Sequence, residues 1–85
     1  TGFPAPLFQG RFRVSKRQVV GERHLKLWVV PEGGNAELEA IHFRGAPDGV
    51  APQLDEVALA YRLDVNVFRG QRRLQLVVEE RAQPA

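Results

Sequence analysis

The sequence predicts a mainly β protein of five strands, and three observations carry that prediction. Apolar and polar residues alternate with a period of two over several stretches, no stretch repeats its apolar residues at helical spacing, and Gly- or Pro-bearing turns separate the alternating runs. The first strand is expected over Phe12 to Val20 and the second over His24 to Val30, paired around Gly21 and Glu22. In the second strand Leu25, Leu27 and Val29 take the inward phase, which leaves His24, Lys26 and Trp28 on the opposite face.

A loop at "PEGGNA", Pro31 to Ala36, leads to a third strand near Glu37 to Phe43. Its register stays open, because neither Leu38, Ala40 and His42 nor Glu37, Glu39, Ile41 and Phe43 form a clean apolar set. A bulge or a strand buried on alternating sides accounts for either pattern. The connector Arg44 to Glu56 is rich in Pro and Gly and holds at most one helical turn around Pro52 to Glu56. The clearest strand follows, Val57 to Val67, with Val57, Leu59, Tyr61, Leu63, Val65 and Val67 on one face that should line the core. A tight turn at Arg69 to Gln71 joins it to the last strand, Arg72 to Glu80, where Leu74, Leu76 and Val78 are in phase.

Three meandering strands, a connector and a closing hairpin are the element order of a five-stranded OB-type Greek-key barrel with a short or absent helix between strands three and four. Residues 1–10, with Pro4 and Pro6, read as an arm entering from a preceding domain, residues 11–81 as the barrel and 82–85 as a tail. The chain opens on Thr1 and contains no methionine, which reads as a segment of a longer polypeptide.

At 85 residues there is room for one core and no second domain. No apolar run approaches the roughly 18 residues of a membrane span, no signal-peptide pattern is present, and the lack of cysteine excludes disulfides and thiolate metal sites. The net charge of +2 hides a segregation: residues 1–26 carry +5, residues 27–68 carry −5 and residues 69–85 carry +2. If the fold brings the first and last hairpins together, their loops form one basic cleft, the electrostatic footprint of a polyanion site. "DVNVFRGQRRLQL", Asp64 to Leu76, focuses the question, because its turn requires Gly70 but does not require Arg69, Arg72 and Arg73.

Catalysis finds no support in the residues. Ser15 is the sole serine, His24 and His42 are the sole histidines, and no triad or metal-ligand spacing connects them. The basic residues have two readings: cations on outward strand faces that keep the sheet soluble, or a phosphate-holding surface. Trp28, in phase with Lys26 and His24, either stacks a nucleobase beside cations or packs beneath a neighbouring domain or the N-terminal arm. Tyr61 falls on the core phase and His42 reads as structural.

"RQVVGERHLKL" (Arg17 to Leu27) and "LAYRLDVNVFRGQRRLQLVVEE" (Leu59 to Glu80), with the opening "GFPAPLF", resemble the OB domain of the bacterial RecJ family of 5′-to-3′ exonucleases specific for single-stranded DNA. The resemblance implies a cytoplasmic, monomeric bacterial protein of DNA repair and recombination. Its catalysis would reside in upstream domains that use manganese or magnesium, with no cofactor in this segment. It implies that this domain holds and guides the single strand, with Arg23, His24 and Lys26 of "GERHLK" and Arg69, Arg72 and Arg73 of "FRGQRR" touching DNA. Trp28 lies just past the first motif, and its stacking role is a separate hypothesis. The competing expectation is a protein-interaction module, either docked on the upstream catalytic domains or receiving the acidic tail of a single-strand binding protein.

Overall fold

The computed structural model describes residues 6–83, so half of the expected arm and tail, residues 1–5 and 84–85, lies outside the described residues. Five strands form: β1 (Phe8–Val20), β2 (His24–Pro31), β3 (Leu38–His42), β4 (Glu56–Phe68) and β5 (Gln71–Ala82). They close into a barrel in the order β1-β2-β3-β5-β4. Every seam is antiparallel except β3 with β5, where Glu39, Ala40 and Ile41 lie beside Gln75, Leu76 and Val77 in parallel. This is the OB-type five-stranded barrel that the alternation predicts, without a helix among the described residues.

β1 begins four residues before the expected Phe12, because Phe8 to Arg13 pair with Tyr61 to Glu56 of β4. From Phe12 the same strand also pairs with β2 on its other edge, and just past its last β4 pair that ladder carries a bulge: Val14 pairs with Val29 and Lys16 with Trp28, leaving Ser15 as the extra residue. The bulge keeps Val19 on the inward phase opposite Leu25 while sending Lys16 outward beside Trp28.

Leu25, Leu27, Val29, Val57, Leu59 and Leu76 are the largest fully buried side chains and form the centre of the core with Phe12, Ala40 and Val78. The register of β3 is settled by its neighbours. Leu38, Ala40 and His42 lie opposite Val29, Leu27 and Leu25 on the inward phase, while Ile41 is buried from the outside between Lys26 and Val77. The strand is therefore buried on alternating sides, and its pairing with β2 runs without a bulge.

The connector closes one end of the barrel without a helix. Ala46 and Leu54 insert into the core, and the chain between them turns at Pro47, Asp48 and Gly49. The Ala46 N–H donates to the Arg23 carbonyl at 2.9 Å and the Gly49 N–H to the Ala46 carbonyl at 2.9 Å, so the connector is tied to the β1–β2 turn. Beneath it sits His42. A Cβ on Gly45 would stand 2.8 Å from the His42 ring, which explains a glycine there. His42 Nδ1 is buried without a partner, and Arg81 reaches over the same spot with Nη1 3.4 Å from the Gly45 carbonyl.

The expected core phase of β4 holds only in its first half. Val57 and Leu59 are buried and Tyr61 is half-buried, but Leu63, Val65 and Val67 are 44%, 56% and 66% exposed, as is Leu74 of β5 at 41%. The reason is the extent of the neighbouring strands. β1 accompanies β4 only as far as Tyr61, and β3 accompanies β5 only from Gln75, so among the described residues, 62–74 pair with each other alone and project as a two-stranded arm. At its tip Arg69 and Gly70 take φ of 53° and 77° between the paired Phe68 and Gln71, a two-residue turn with both central residues left-handed.

Two outcomes follow from this core. Leu27→Ala lowers the unfolding free energy of the domain in urea by about 2–5 kcal/mol, whereas Val67→Ala on the arm changes it by less than about 0.5 kcal/mol. Equal effects would contradict the boundary between barrel and arm. Burial and, next, the charge of Arg81 lower the pKa of His42, against a smaller raising effect of Glu79. The unfolded histidine takes up its proton near pH ~6.5 while the folded one resists it, so stability is greatest above that value and falls as the pH drops through and below it. The melting temperature should therefore decline more steeply between pH ~7.5 and ~5.5 in the wild type than in His42→Leu, and parallel declines would refute the linkage.

Candidate nucleic-acid interface

The outer face of β1, β2 and β3 brings together Trp28 and Lys26, both expected at the site, with Lys16, which was not. Trp28 pairs with Lys16 on one side and Glu39 on the other, and Lys26 lies two residues before it on the same strand. Two ammonium groups sit on the indole: Lys16 Nζ is 4.9 Å and Lys26 Nζ 5.0 Å from its centroid. Lys26 Nζ is also 3.9 Å from Glu39 Oε1. Below them the Ser15 hydroxyl lies 2.9 Å from the Trp28 carbonyl and 2.6 Å from Glu37 Oε2, so the bulge residue tethers the Glu37 carboxylate to the edge of the same wall. Lys16 joins the site through the Ser15 bulge, which shifts the alternation of β1 and conceals this pairing from the sequence.

The seven residues singled out from the sequence do not converge on one point. Arg23 and His24 stand at the end of the wall where the β1–β2 turn meets the connector. His24 is committed to that junction: its Nδ1 accepts the Arg44 N–H at 3.0 Å, and its ring meets Phe43 edge-on at a centroid distance of 5.3 Å. The Arg23 carbonyl is bound by Ala46, while its side chain is exposed.

Arg69, Arg72 and Arg73 stand at the opposite end. β5 runs parallel to β3, so the β4–β5 tip leaves the wall at the end where β3 begins, and the β1–β2 turn lies at the end where β3 stops. Six residues of β5 separate Arg73 from Glu79, which by the same register is level with Phe43, one residue past the end of β3 and beside His24, a span of about 20 Å at ~3.3 Å per residue. The two basic loops therefore bracket the wall from its ends, with Lys16, Lys26 and Trp28 between them. Arg72 and Arg73, being successive strand residues, point to opposite faces of the arm. Arg73 shares its phase with Gln75 and Val77, which adjoin Glu39 and Ile41, and so continues the Trp28 wall; Arg72 lies opposite Val67 on the other face. Arg69, exposed in the turn, belongs to the tip itself.

The described residues contain no group of three or more His, Cys, Asp or Glu that could hold a metal ion, so no ligand set for Mg2+ or Mn2+ is found on them. What the wall offers is an indole, ammonium groups of adjustable position and an arginine at one end: a surface for stacking and for anions.

The domain model for the RecJ OB domain matches residues 1–80. The chain is 47% identical over 83 residues to the single-stranded-DNA-specific exonuclease RecJ of Salmonella typhimurium, 49% over 81 residues to that of Dickeya dadantii and 47% over 79 residues to that of Escherichia coli. These matches cover 91–92% of this chain and 14% of each relative, so the chain spans about one-seventh of the curated relatives' length. The solved RecJ of Thermus thermophilus in complex with Mg2+ superposes with a TM-score of 0.67 at 23% identity, covering 96% of this chain and 12% of that one, and shares the fold. With the domain model matched along residues 1–80 and the barrel it describes formed in full, the chain belongs to the RecJ OB domain family.

Proposed function

We propose that this domain binds single-stranded DNA along the outer wall of β1, β2 and β3, and that it does so as part of a single-strand-specific exonuclease. The observation that carries the reading is Trp28 with Lys16 and Lys26 on its ring. Magnitudes decide how such a cluster would work. An exposed cation–π contact is worth ~0.5–1 kcal/mol, and a base stacked on an aromatic side chain ~1–3 kcal/mol. The two contacts together are worth ~1–2 kcal/mol, close to what one stacked base returns, so displacement is favoured by the freed ammonium groups moving on their flexible stems to the flanking phosphates. Glu39 and Glu37 limit the attraction, since each sets a carboxylate beside the path.

Arg73 extends the path toward the tip and Arg23 toward the other turn, which gives the strand a track of about 20 Å. Neither stacking nor ammonium–phosphate contact distinguishes the four bases, which suits an enzyme that degrades any sequence. Hydrolysis, with Mg2+ or Mn2+, belongs on this reading to the remainder of the polypeptide. The RecJ relatives are named as single-stranded-DNA-specific exonucleases, and solved RecJ chains carry those ions. Cleavage of cellular DNA in repair and recombination places the parent protein in the bacterial cytoplasm. No helix among the described residues is long and apolar enough to cross a membrane.

Anisotropy of a labelled oligothymidine bound to the full-length exonuclease, measured across salt concentrations, tests the reading. Trp28→Ala should weaken binding by about 5- to 150-fold, the equivalent of ~1–3 kcal/mol. Lys16→Ala with Lys26→Ala should flatten the slope of log K against log salt by about 1.4, two phosphate contacts at ~0.7 each. Arg73→Ala should also flatten it. Wild-type affinity and slope in all three variants would remove the wall from the DNA path.

A further inference from the structure

The arm formed by residues 62–74 has two unlike faces. On one, Arg73 and Gln75 continue the Trp28 wall, with the Arg62–Glu79 ion pair at 2.8 Å on the barrel side of the arm. On the other lie Leu63, Val65, Val67 and Leu74, all exposed, with Val65 directly opposite Leu74 and Val67 opposite Arg72. This second face is the core phase of the barrel continued outward. It runs on from Phe12, Tyr61 and Phe8, where Tyr61 meets Phe12 edge-on at 5.5 Å and stacks with Phe8 at 5.9 Å, so one apolar strip leads from the buried interior to the tip.

We propose that the Leu63, Val65, Val67 and Leu74 face of the arm is a docking surface for the rest of the exonuclease polypeptide, which meets it with an apolar face and an acidic group opposite Arg72. A two-stranded ribbon that carries aliphatic side chains in water is marginal by itself, and contiguous exposed apolar strips of this kind mark contact surfaces. The length of the relatives identifies the occupant. This chain spans 14% of them, so a large body of protein accompanies every copy of the arm. A permanently attached partner suits a surface this apolar, because obligate interfaces are the more hydrophobic class. The chemistry also disfavours DNA on this face. Apart from Arg72 its side chains are aliphatic and offer nothing to stack on a base, and Lys16, Lys26, Arg73 and the indole are on the other side. Arg72 at the end of the strip supplies the polar rim that fixes orientation. The arm thus divides its labour, with Arg73 toward the strand path and the aliphatic face toward the body of the enzyme.

Hydrogen exchange on the full-length exonuclease tests this. Amides of residues 62–74 should exchange at least about ten-fold slower in the wild type than in Val65→Glu. In that variant a segment outside the domain should lose protection too, while Leu25–Val29 stays protected. If Val65→Glu also unfolds the barrel, Arg72→Glu gives the second test, with faster exchange in the arm tip and in an acid-bearing segment outside the domain. Rapid exchange of 62–74 in the wild type would overturn the proposal. So would protection that vanishes on dilution, which means a second copy, or protection that appears only with oligothymidine, which means DNA.

Discussion

The short parallel seam between Glu39–Ile41 and Gln75–Val77 is the constraint on which the rest of the structure depends. Parallel neighbours cannot be joined by a tight turn, so the seam forms only after β4 has crossed the barrel and β5 has returned. Once formed, it removes the open edges of the sheet and seals Leu25, Leu27, Leu59 and Leu76 from water. It also sets Ile41 between Lys26 and Val77, which makes the outer surface of β2, β3 and β5 one continuous wall. Because the seam is short, β4 and β5 outrun it, and the projecting arm is the consequence.

The wall and the arm are joined by alternation. Successive residues of β5 face opposite ways, so a pair of arginines written side by side is divided between two surfaces. Arg73 goes with Trp28 and Gln75, and Arg72 with Val67. A bulge works in the opposite sense on β1. Ser15 absorbs one residue, and Lys16 thereby arrives beside Trp28 while Val14 and Val19 remain inward. The aromatic and its two cations thus owe their meeting to an irregularity rather than to a motif.

Much of the fold was legible because the alternation in β2 and β4 is strong and turn chemistry marks the hairpins. Leu25, Leu27 and Val29 were assigned inward, and all are fully buried. The extent of β4's core face was not legible, since Leu63, Val65 and Val67 continue the pattern of Val57 and Leu59 without a break. Nothing local records that β1 has left β4 by then. The register of β3 was open because a strand apolar on both sides has no dominant phase, and only its neighbours decide it. For the site, the residue types were readable but not their grouping. Convergence of the two basic loops assumed that both lie at one end of the wall, whereas chain direction puts the β1–β2 turn and the β4–β5 turn at opposite ends.

That geometry gives the strand a track between two basic ends, with Trp28 at its middle. A backbone amide NMR titration of this domain with a short oligothymidine, at low and high salt, tests this most directly. The account predicts shifts on Lys16, Lys26 to Trp28 and Arg73 that shrink as salt rises, with Leu63, Val65 and Val67 unmoved. Shifts confined to the aliphatic face of the arm, or none at low salt, would contradict it.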